Sequence, residues 1–464
     1  MLFNSHIFML LFLPLLLAGW YFLNWKKKFQ LAQGYLIGMS LWFYAYANLQ
    51  YLWLLLFSCL IGWLLSCLPE KIFSEKGKKV LTGVGCVFHL GLLGYFKYSN
   101  FFLENLNTVF HTDFPMLQIL LPVGISFYTF QQLAYLIDRC RGDAPRDSFF
   151  DYLTFMVYFP QLLQGPILLR SEFMGQLKEP ERRRFHAERF SEGIQFFVFG
   201  LAKKVLLADT LAKAVNYGYS NVSMLDSISA LLLAVGYLTE LYFDFSGYCD
   251  MAVGLGKMIG LEVAENFDAP FHSASVKEFW RRWHMTLGRF FTRYVYIPLG
   301  GNRRGKMRTL CNVMIVMLLS GLWHGAAWTF VLWGFLHGVG MIWDNLEHPH
   351  LPKKWMRQAA TFAYVCMTFV FFRAESIAQG VDVLKSIVSL KWNGFVFQMA
   401  SALDMTECYI ITKALSMKLP GLLSWFWLGI FVVLIAICFR VLSGEKVSGV
   451  VALQRQKGYG RLYP

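Results

Sequence analysis

Long apolar runs separated by short clusters of basic residues make up most of the chain. The first run, Ile7 to Leu23, is followed directly by Lys26, Lys27 and Lys28. Further runs cover residues 33–48, 50–67, 80–96, 119–137, 193–208, 228–243, 362–372 with its flanks, and 422–439. As helices, such runs can cross a hydrocarbon core of about 30 Å. The pattern therefore predicts an all-α polytopic membrane protein.

The basic clusters predict a topology. Lysines crowd the loop from Pro69 to Lys79, and arginines follow the run that ends at Ile137. Because loops on the cytoplasmic side carry an excess of Lys and Arg, we place these loops inside. The alternation then gives about eleven crossings, with the N-terminus outside and the C-terminus inside. The tail that holds Tyr459 and Tyr463 falls inside.

Several apolar segments are interrupted or mixed. Residues 152–169 contain Pro160, Gly165 and Pro166, which break a spanning helix, so we expect a re-entrant element. The glycine-rich residues 244–260 predict a second re-entrant wall after the crossing 228–243. Residues 275–296 mix cations with aromatic side chains, as interfacial helices do. Lys203 and Lys204, in the middle of a run, must face a cavity or form ion pairs.

The apolar stretch between Arg308 and Asp344 carries two histidines, His324 and His337. At about 1.5 Å per residue it is roughly 50 Å long, too long for one crossing, so we predict two helices. The residues that mark the break are Ser320, Gly321, Trp323, Gly325 and Trp328. An ionisable group in such a segment is by default a functional hypothesis. The alternative is a core histidine with both ring nitrogens satisfied, or, for His337, simple packing of a helix face.

Composition supports the membrane interpretation and excludes other classes. The 464 residues are 56% hydrophobic, 17% aromatic and 16% charged, whereas soluble domains are about one quarter charged. The nine cysteines are scattered singly, which predicts neither a disulfide framework nor a metal site. The basic residues that give the net charge of +14 lie in short loops, so they indicate membrane topology and not nucleic-acid binding. No GxSxG, HExxH or GxxxxGK motif occurs, which argues against a serine hydrolase, a zincin or an ATP-driven pump.

Other polar residues allow two interpretations each. His284 follows an aromatic and basic cluster and fits either a site or an interfacial side chain that reaches the headgroups. Asp244 and Asp250 could orient an imidazole, bind a cation or cap helix ends. Four arginines could attract anionic lipid or capture a phosphorylated ligand from the cytoplasm: Arg281, Arg282, Arg303 and Arg304.

Together, several motifs resemble the membrane-bound O-acyltransferase family, and most closely its bacterial alginate O-acetyltransferase branch. The D-alanyl transferase of teichoic acids is a more distant relative of that branch. The motifs are YFDFSGYCDMA from Tyr242, NFDAPF from Asn266, EFWRRWH from Glu278, YIPLGGNR from Tyr296 and SGLWHGAAWTFVLWGFLH from Ser320, with PVGISFYTFQQLAYLID from Pro122 and GLAKKVLLAD from Gly200. The resemblance covers roughly residues 85–375 of a single integral-membrane domain, 1–464. Gln164 and Cys249 depart from the residues usual in the branch.

The resemblance implies a bundle around a thin partition with a central funnel or tunnel, in the bacterial cytoplasmic (inner) membrane. An acyl thioester, either acetyl-CoA or an acyl-phosphopantetheine carrier, would enter from the cytoplasm, and no cofactor would be bound permanently. A hydroxyl acceptor would be reached from outside. An extracytoplasmic partner of the SGNH-hydrolase type would then O-acetylate an exported polysaccharide or peptidoglycan.

The family's catalytic histidine falls on His324, which we expect to be the general base, on a helix that places it nearer the outer half of the membrane. Its second histidine or asparagine position falls on His284, which we expect on the cytoplasmic helix, positioning the donor or polarising it. We expect Asp244, Asp250 and Trp323 as supports, and the four arginines at the donor. Two rival functions stay open: a proton-coupled exporter of polysaccharide or lipid-linked glycan, and a non-catalytic scaffold.

Overall fold

The computed structural model describes residues 1–67, 75–346, 353–405 and 408–443, and within these ranges the chain forms helices and no β-strand. The α-helices are α1 Leu13–Trp25, α2 Phe29–Asn48, α3 Leu52–Cys67, α4 Glu75–Leu93, α5 Ser99–Phe110, α6 Ile125–Arg141, α7 Phe149–Val157, α8 Phe159–Leu162, α9 Arg170–Lys178, α10 Ala187–Ala202, α11 Asp209–Ser220, α12 Ser227–Ile259, α13 Val276–Arg282, α14 Met285–Phe291, α15 Lys306–His324, α16 Trp328–Asn345, α17 Lys354–Arg373, α18 Ile377–Val388, α19 Phe395–Ser401, α20 Tyr409–Lys418 and α21 Pro420–Ser443. The tail with Tyr459 and Tyr463 lies outside the described residues, as do residues 68–74 of the first predicted inner loop.

Six helical stretches of the described chain are long and apolar enough to cross a membrane: Phe8–Trp25, Leu49–Cys67, Lys76–Phe110, Ser227–Ile259, Lys306–His324 and Pro420–Ile437. A chain with this many apolar helices is a multi-pass membrane protein. The all-α class is thereby confirmed, and the count of eleven crossings stays a prediction.

Internal contacts divide the chain into two compact units. The first comprises Met1–Val198, Tyr248–Glu265 and Arg289–Ile297, and the second comprises Phe199–Gly247, Asn266–Gly288 and Pro298–Pro464. Buried phenylalanines form the core of the first unit, where the Phe43 and Phe159 rings lie 5.2 Å apart. Their neighbours in this cluster are Phe3, Phe8 and Phe12.

The predicted interruption of residues 152–169 is confirmed in the first unit. The helix stops at Tyr158, resumes as the single turn α8, and gives way to a buried, non-helical strip over residues 166–169. A side chain at Gly165 would collide with the Pro160 carbonyl oxygen, so only glycine fits this bend. Arg289 donates to the carbonyl oxygen of Ile167 at 3.1 Å, which satisfies one exposed backbone group of the strip.

The predicted second re-entrant wall is wrong. Residues 244–260 do not break the helix, because α12 runs without interruption from Ser227 to Ile259. Its glycines instead allow close approach to the backbone of α10. In the second unit, a Cβ at Gly247 would lie 2.7 Å from the Gly200 carbonyl oxygen. In the first unit, one at Gly193 would lie 2.7 Å from the Gly254 carbonyl oxygen. Small residues at such positions are typical of helix contacts in membranes.

Two segments that lie between the predicted crossings also contain helices. Helix α5 occupies much of residues 97–117, and α18, α19 and α20 lie within residues 373–420. The reason is clearest for α19, whose Phe395, Val396 and Met399 are buried in the core of the second unit. These helices are short and their apolar faces lie among charged residues, so the sequence pattern suggested a loop.

The stretch between Arg308 and Asp344 folds as two helices, as predicted. Helix α15 ends at His324, α16 begins at Trp328, and the turn falls on residues 325–327. Glycines let the two helices touch: a side chain at Gly321 would collide with the Phe330 carbonyl oxygen, and one at Gly334 with the Met317 carbonyl oxygen. This seam fixes the end of α15, and therefore His324, against the first turns of α16.

Candidate active site

His284 lies at a bend that the sequence did not predict. Residues 275–296 form α13 and α14 instead of one interfacial helix, and His284 lies between them with a φ of 46°. Left-handed backbone is uncommon for a residue with a Cβ and tends to occur at functional sites. The interpretation of His284 as an interfacial side chain is wrong, because it is 1% exposed. Phe279 and Trp283 are also buried, in the core of the second unit.

Asn266 holds the His284 ring in one tautomer. Its Oδ1 accepts hydrogen bonds from the backbone N–H and the hydroxyl of Thr286, each at 3.0 Å, and lies 3.2 Å from His284 Nδ1. A backbone N–H can only donate, so this Asn266 atom must be the amide oxygen. His284 Nδ1 therefore carries the proton, and Nε2 keeps the lone pair.

His284 is neutral at physiological pH. It lies outside the six candidate spans, and burial lowers its pKa to about 3 because the charged imidazolium would lose its hydration. The Phe245 ring packs against it edge to face at 4.7 Å. A buried, neutral imidazole of fixed tautomer can accept a hydrogen bond through Nε2, but it cannot supply a positive charge.

His324 is the last residue of α15 and is only partly buried. Three aromatic rings surround its imidazole: Trp323 at 4.9 Å, Trp333 at 5.2 Å and Phe372 at 5.2 Å between ring centroids. The predicted support Trp323 therefore lies beside the His324 imidazole, and its ring also lies 6.1 Å from that of His284. These rings confine the His324 imidazole while leaving it partly open.

The structure brings the two sequence-predicted histidines together. The rings of His284 and His324 lie 6.4 Å apart, although the sequence analysis placed one on a cytoplasmic helix and the other nearer the outer half of the membrane. That separation is wrong, because the bend at residues 283–284 leaves His284 buried beside Trp323 and His324. Both rings are close enough to contact one small reacting group.

His337 is a core histidine, the alternative that the sequence left open. The Trp280 indole N–H donates to its Nδ1 at 3.2 Å, so the proton of the neutral ring is on Nε2. That N–H faces the Thr368 hydroxyl at 3.0 Å, and the hydroxyl donates onward to the Val365 carbonyl oxygen at 2.8 Å. With 0% exposure and both nitrogens engaged, His337 braces the core and has no free lone pair.

Of the four predicted arginines, one is paired and three are exposed. Arg282 pairs with Glu278 at 2.8 Å, whereas Arg281 on the same short helix is exposed, as are Arg303 and Arg304 in the loop before α15. No hydrogen bond or ion pair within the described chain joins any of these arginines to His284 or His324.

The predicted acidic support Asp244 is paired with a lysine. Lys204 lies 2.5 Å from Asp244 and 2.7 Å from Asp209, which confirms that this lysine is paired. Asp250 belongs to the first unit, whereas Asp244 belongs to the second. Among the described residues, no group of three or more His, Cys, Asp or Glu side chains could hold a metal ion.

Sequence reasoning missed the role of Asn266. It entered only as the first letter of the NFDAPF motif, and its hydrogen bonds join residues well separated in the chain. Its burial, with 2% exposure, could not be inferred from a polar side chain in a loop. The only indication in the sequence was the NFDAPF motif, which places the uncharged acceptor Asn266 in the motif that precedes the one ending at His284.

Comparison with known proteins decides the family. The model of MBOAT, the membrane-bound O-acyltransferase family, matches residues 141–379, a range that includes His284, Asn266 and His324. The chain belongs to this family. Being an MBOAT protein, it is a membrane O-acyltransferase, and the predicted family resemblance is confirmed.

Relatives of this MBOAT chain are named for acyl transfer to peptidoglycan, alginate or teichoic acid. A peptidoglycan O-acetyltransferase of Helicobacter pylori is 35% identical over 423 residues, which cover 84% of this chain and 80% of that protein. A probable alginate O-acetylase of Azotobacter vinelandii is 39% identical over 389 residues, or 81% and 76% of the two chains. A teichoic acid D-alanyltransferase of Bacillus subtilis is 28% identical over 271 residues, or 54% and 69%.

Proposed function

We propose that this MBOAT protein transfers an acetyl group from a cytoplasmic thioester to a hydroxyl acceptor reached from the outer side, in the bacterial cytoplasmic membrane. His324 is the general base of this proposal. The observation that carries it is the pairing of the partly open His324 ring with the buried His284 ring at 6.4 Å, inside a wall of aromatic side chains.

In the proposed reaction, the unprotonated nitrogen of His324 takes the proton from the acceptor hydroxyl. The hydroxyl oxygen attacks the thioester carbonyl carbon, and a carbon–oxygen bond forms. When the tetrahedral intermediate collapses, the carbon–sulfur bond breaks. The thiolate then takes the proton back from the His324 imidazolium. The products are an O-acetyl ester and a free thiol, and the base is regenerated.

His284 acts as a positioning acceptor in this proposal. Because Nδ1 is committed to Asn266, Nε2 is the atom that can accept a hydrogen bond from the hydroxyl or from the neighbouring imidazole. A buried neutral ring suits this role, because a second positive charge beside His324 would oppose formation of its imidazolium.

The donor, acceptor and partner follow from the chemistry and from the names of the relatives. We assign the donor as acetyl-CoA or an acetylated phosphopantetheine carrier, because either arm can carry a thioester into a buried site. The relatives act on, or are named for, peptidoglycan and alginate, which favours an exported polysaccharide or peptidoglycan as final acceptor. An extracytoplasmic SGNH-hydrolase-type partner would relay the acetyl group to it. In this proposal the N-terminus lies outside the cell membrane and the C-terminus lies in the cytoplasm.

The test uses sealed membranes from cells that produce the full chain. Labelled acetyl-CoA is supplied to the cytoplasmic face, and the exported polymers are examined for label that mild base releases, as an O-ester requires. We expect wild-type protein to label a polymer and release free coenzyme A in step with it. The His324→Ala variant should lose about 10² to 10⁴ of the rate at equal protein amount.

The matched control changes a histidine outside the site. His6 is exposed near the N-terminus, and His6→Ala should transfer acetyl at the wild-type rate. Unchanged labelling by His324→Ala, or coenzyme A release that needs no acceptor, would refute the proposal. Polymer export that depends on a proton gradient, with no thioester consumed, would favour the exporter instead.

A further inference from the structure

A cleft of about 780 Å³ lies in the second unit, where the start of α13 meets the end of α16 and the first turns of α17. Neither His284 nor His324 lines it. The lining residues used below are Lys277, Glu278, Val339, Trp343, Asp344 and Arg357. The cleft is therefore separate from the site proposed for acyl transfer.

Both carboxylates of the cleft are already engaged. Glu278 accepts the Ala274 backbone N–H at 2.8 Å and pairs with Arg282, which does not line the cleft. Asp344 accepts the Lys277 backbone N–H at 2.8 Å. Arg282 neutralises Glu278 from outside, so the remaining lining charges are Lys277, Arg357 and Asp344. The cleft carries an excess of positive charge.

Lys277 and Arg357 have side-chain N–H groups that form no hydrogen bond within the described chain. Lys277 Nζ donates to the neutral Asn345 side chain at 2.9 Å, which uses one of its three N–H groups. The Arg357 side chain makes no hydrogen bond or ion pair with any residue of the described chain, and its Nε is buried without a partner. A buried N–H that lacks an acceptor is costly, so a ligand that supplies one is favoured.

An apolar wall adjoins these cations. Val339 and Trp343 lie one turn apart on α16 and are 41% and 59% exposed. Exposed apolar side chains beside Lys and Arg at a helix end are typical of the boundary between hydrocarbon and headgroups, where indole rings are enriched. A lipid with an anionic head and an acyl chain matches both the cations and the apolar side chains of this cleft.

We propose that this cleft binds an anionic phospholipid. Its phosphodiester accepts hydrogen bonds from the Arg357 guanidinium and the Lys277 ammonium, and an acyl chain covers Val339 and Trp343. Guanidinium and phosphate form charge-assisted hydrogen bonds of matching geometry. The proposal goes beyond the acyl-transfer function and does not depend on it.

The test measures binding of short-chain dioctanoyl phosphatidylglycerol to the purified full chain in a neutral detergent by native mass spectrometry. Parallel samples contain dioctanoylglycerol, which lacks the phosphate, and coenzyme A, which carries phosphate without acyl chains. We expect the wild type to retain phosphatidylglycerol. Arg357→Gln should weaken that binding at least tenfold, which is about the worth of one charge-assisted hydrogen bond. Arg357→Lys should lie between the two.

Lys354→Gln is the matched control, because it removes an exposed cation from the same helix end without changing the cleft lining. It should bind phosphatidylglycerol as the wild type does. If Arg357→Gln does not yield folded protein, Lys277→Gln gives the second test and should also weaken binding. Equal affinities of wild type and cleft variants, or equal binding of dioctanoylglycerol, would overturn the proposal. Arg357-dependent binding of coenzyme A without phosphatidylglycerol would overturn it as well.

Discussion

The two histidines of the α15–α16 hairpin show how differently one side chain can be used over a short length of chain. His337 is fully buried, and its nitrogens meet Trp280 and Thr368. His324 is partly open, lies at a helix end, and is surrounded by aromatic rings and by His284. Both lie in a strongly apolar segment, so their sequence context hardly separates them.

Exposure and position separate these two histidines, because His337 is fully buried whereas His324 is partly open at a helix end. A ring whose nitrogens both have fixed partners cannot accept a substrate proton without losing one of them. His324 ends its helix at a turn, where the backbone opens and a ligand can approach. The contrast teaches that an intramembrane histidine should be judged by its exposure and by its place in the helix, and not by its depth in an apolar run.

Replacing each histidine in turn should separate catalysis from stability. His324→Gln should lower acetyl transfer by about 10² to 10⁴ and leave the thermal unfolding temperature nearly unchanged. His337→Val should lower the free energy of unfolding by about 3 kcal/mol, because the Trp280 N–H and the Thr368 hydroxyl lose their partner. Transfer rates per folded molecule and unfolding curves of both variants check this. The comparison would be wrong if His324→Gln lowered mainly the stability and His337→Val lowered mainly the transfer rate.

The glycine seam that places His324 should tolerate no added methyl group. Gly334→Ala would drive a Cβ into the Met317 carbonyl oxygen and should cost about 3 kcal/mol of stability through overpacking. Gly429→Ala is the control, because nothing lies within 4 Å of a Cβ built there. Thermal unfolding of both variants measures the difference. Equal stability would show that α15 and α16 do not meet as closely as described.

Asn266 should matter through its oxygen. Asn266→Asp keeps an acceptor for Thr286 and for His284 Nδ1, but its carboxylate would raise the pKa of His284, so we expect it to lose acetyl transfer by up to about tenfold. Asn266→Leu strands these donors and should cost about 2 kcal/mol of stability and more than tenfold in rate. Rates and unfolding curves of the two variants decide the matter. If the leucine variant works as well as the aspartate variant, Asn266 does not position His284.

The low pKa of His284 predicts a pH effect on stability. Its pKa is about 3 when folded and about 6.5 in an unfolded chain. Between these values the unfolded state binds the extra proton, so stability falls as the pH falls. From pH 7 to pH 5 the wild type should lose about 2 kcal/mol through this residue. His284→Gln should lose that much less, which unfolding at both pH values would measure. An identical pH dependence would contradict the burial of His284.

Sequence could predict what depends on length and charge. The break between His324 and Trp328 followed from a run too long for one crossing, and the pairing of Lys204 followed from the cost of an unpaired charge. The interruption at Gly165 followed from neighbouring prolines.

Sequence could not predict what depends on contacts between distant segments. Glycines in α12 suit a helix break as well as a helix contact, and only the partner helix decides between them. Aromatic residues of α13 suit an interface as well as a core. The bend at His284 and its hydrogen bond to Asn266 depend on contacts in the folded chain. The sequence therefore predicted that His284 and His324 lie far apart.

The most direct test of the central claim is rescue of a missing imidazole. His324→Ala in detergent, given acetyl-CoA, a hydroxyl acceptor and millimolar imidazole, should regain acetyl transfer in proportion to the unprotonated imidazole. The uncatalysed reaction of imidazole with the thioester is subtracted, and His337→Ala serves as the comparison that imidazole should not improve. If His324→Ala transferred acetyl at the wild-type rate without imidazole, His324 would not be the base that activates the acceptor.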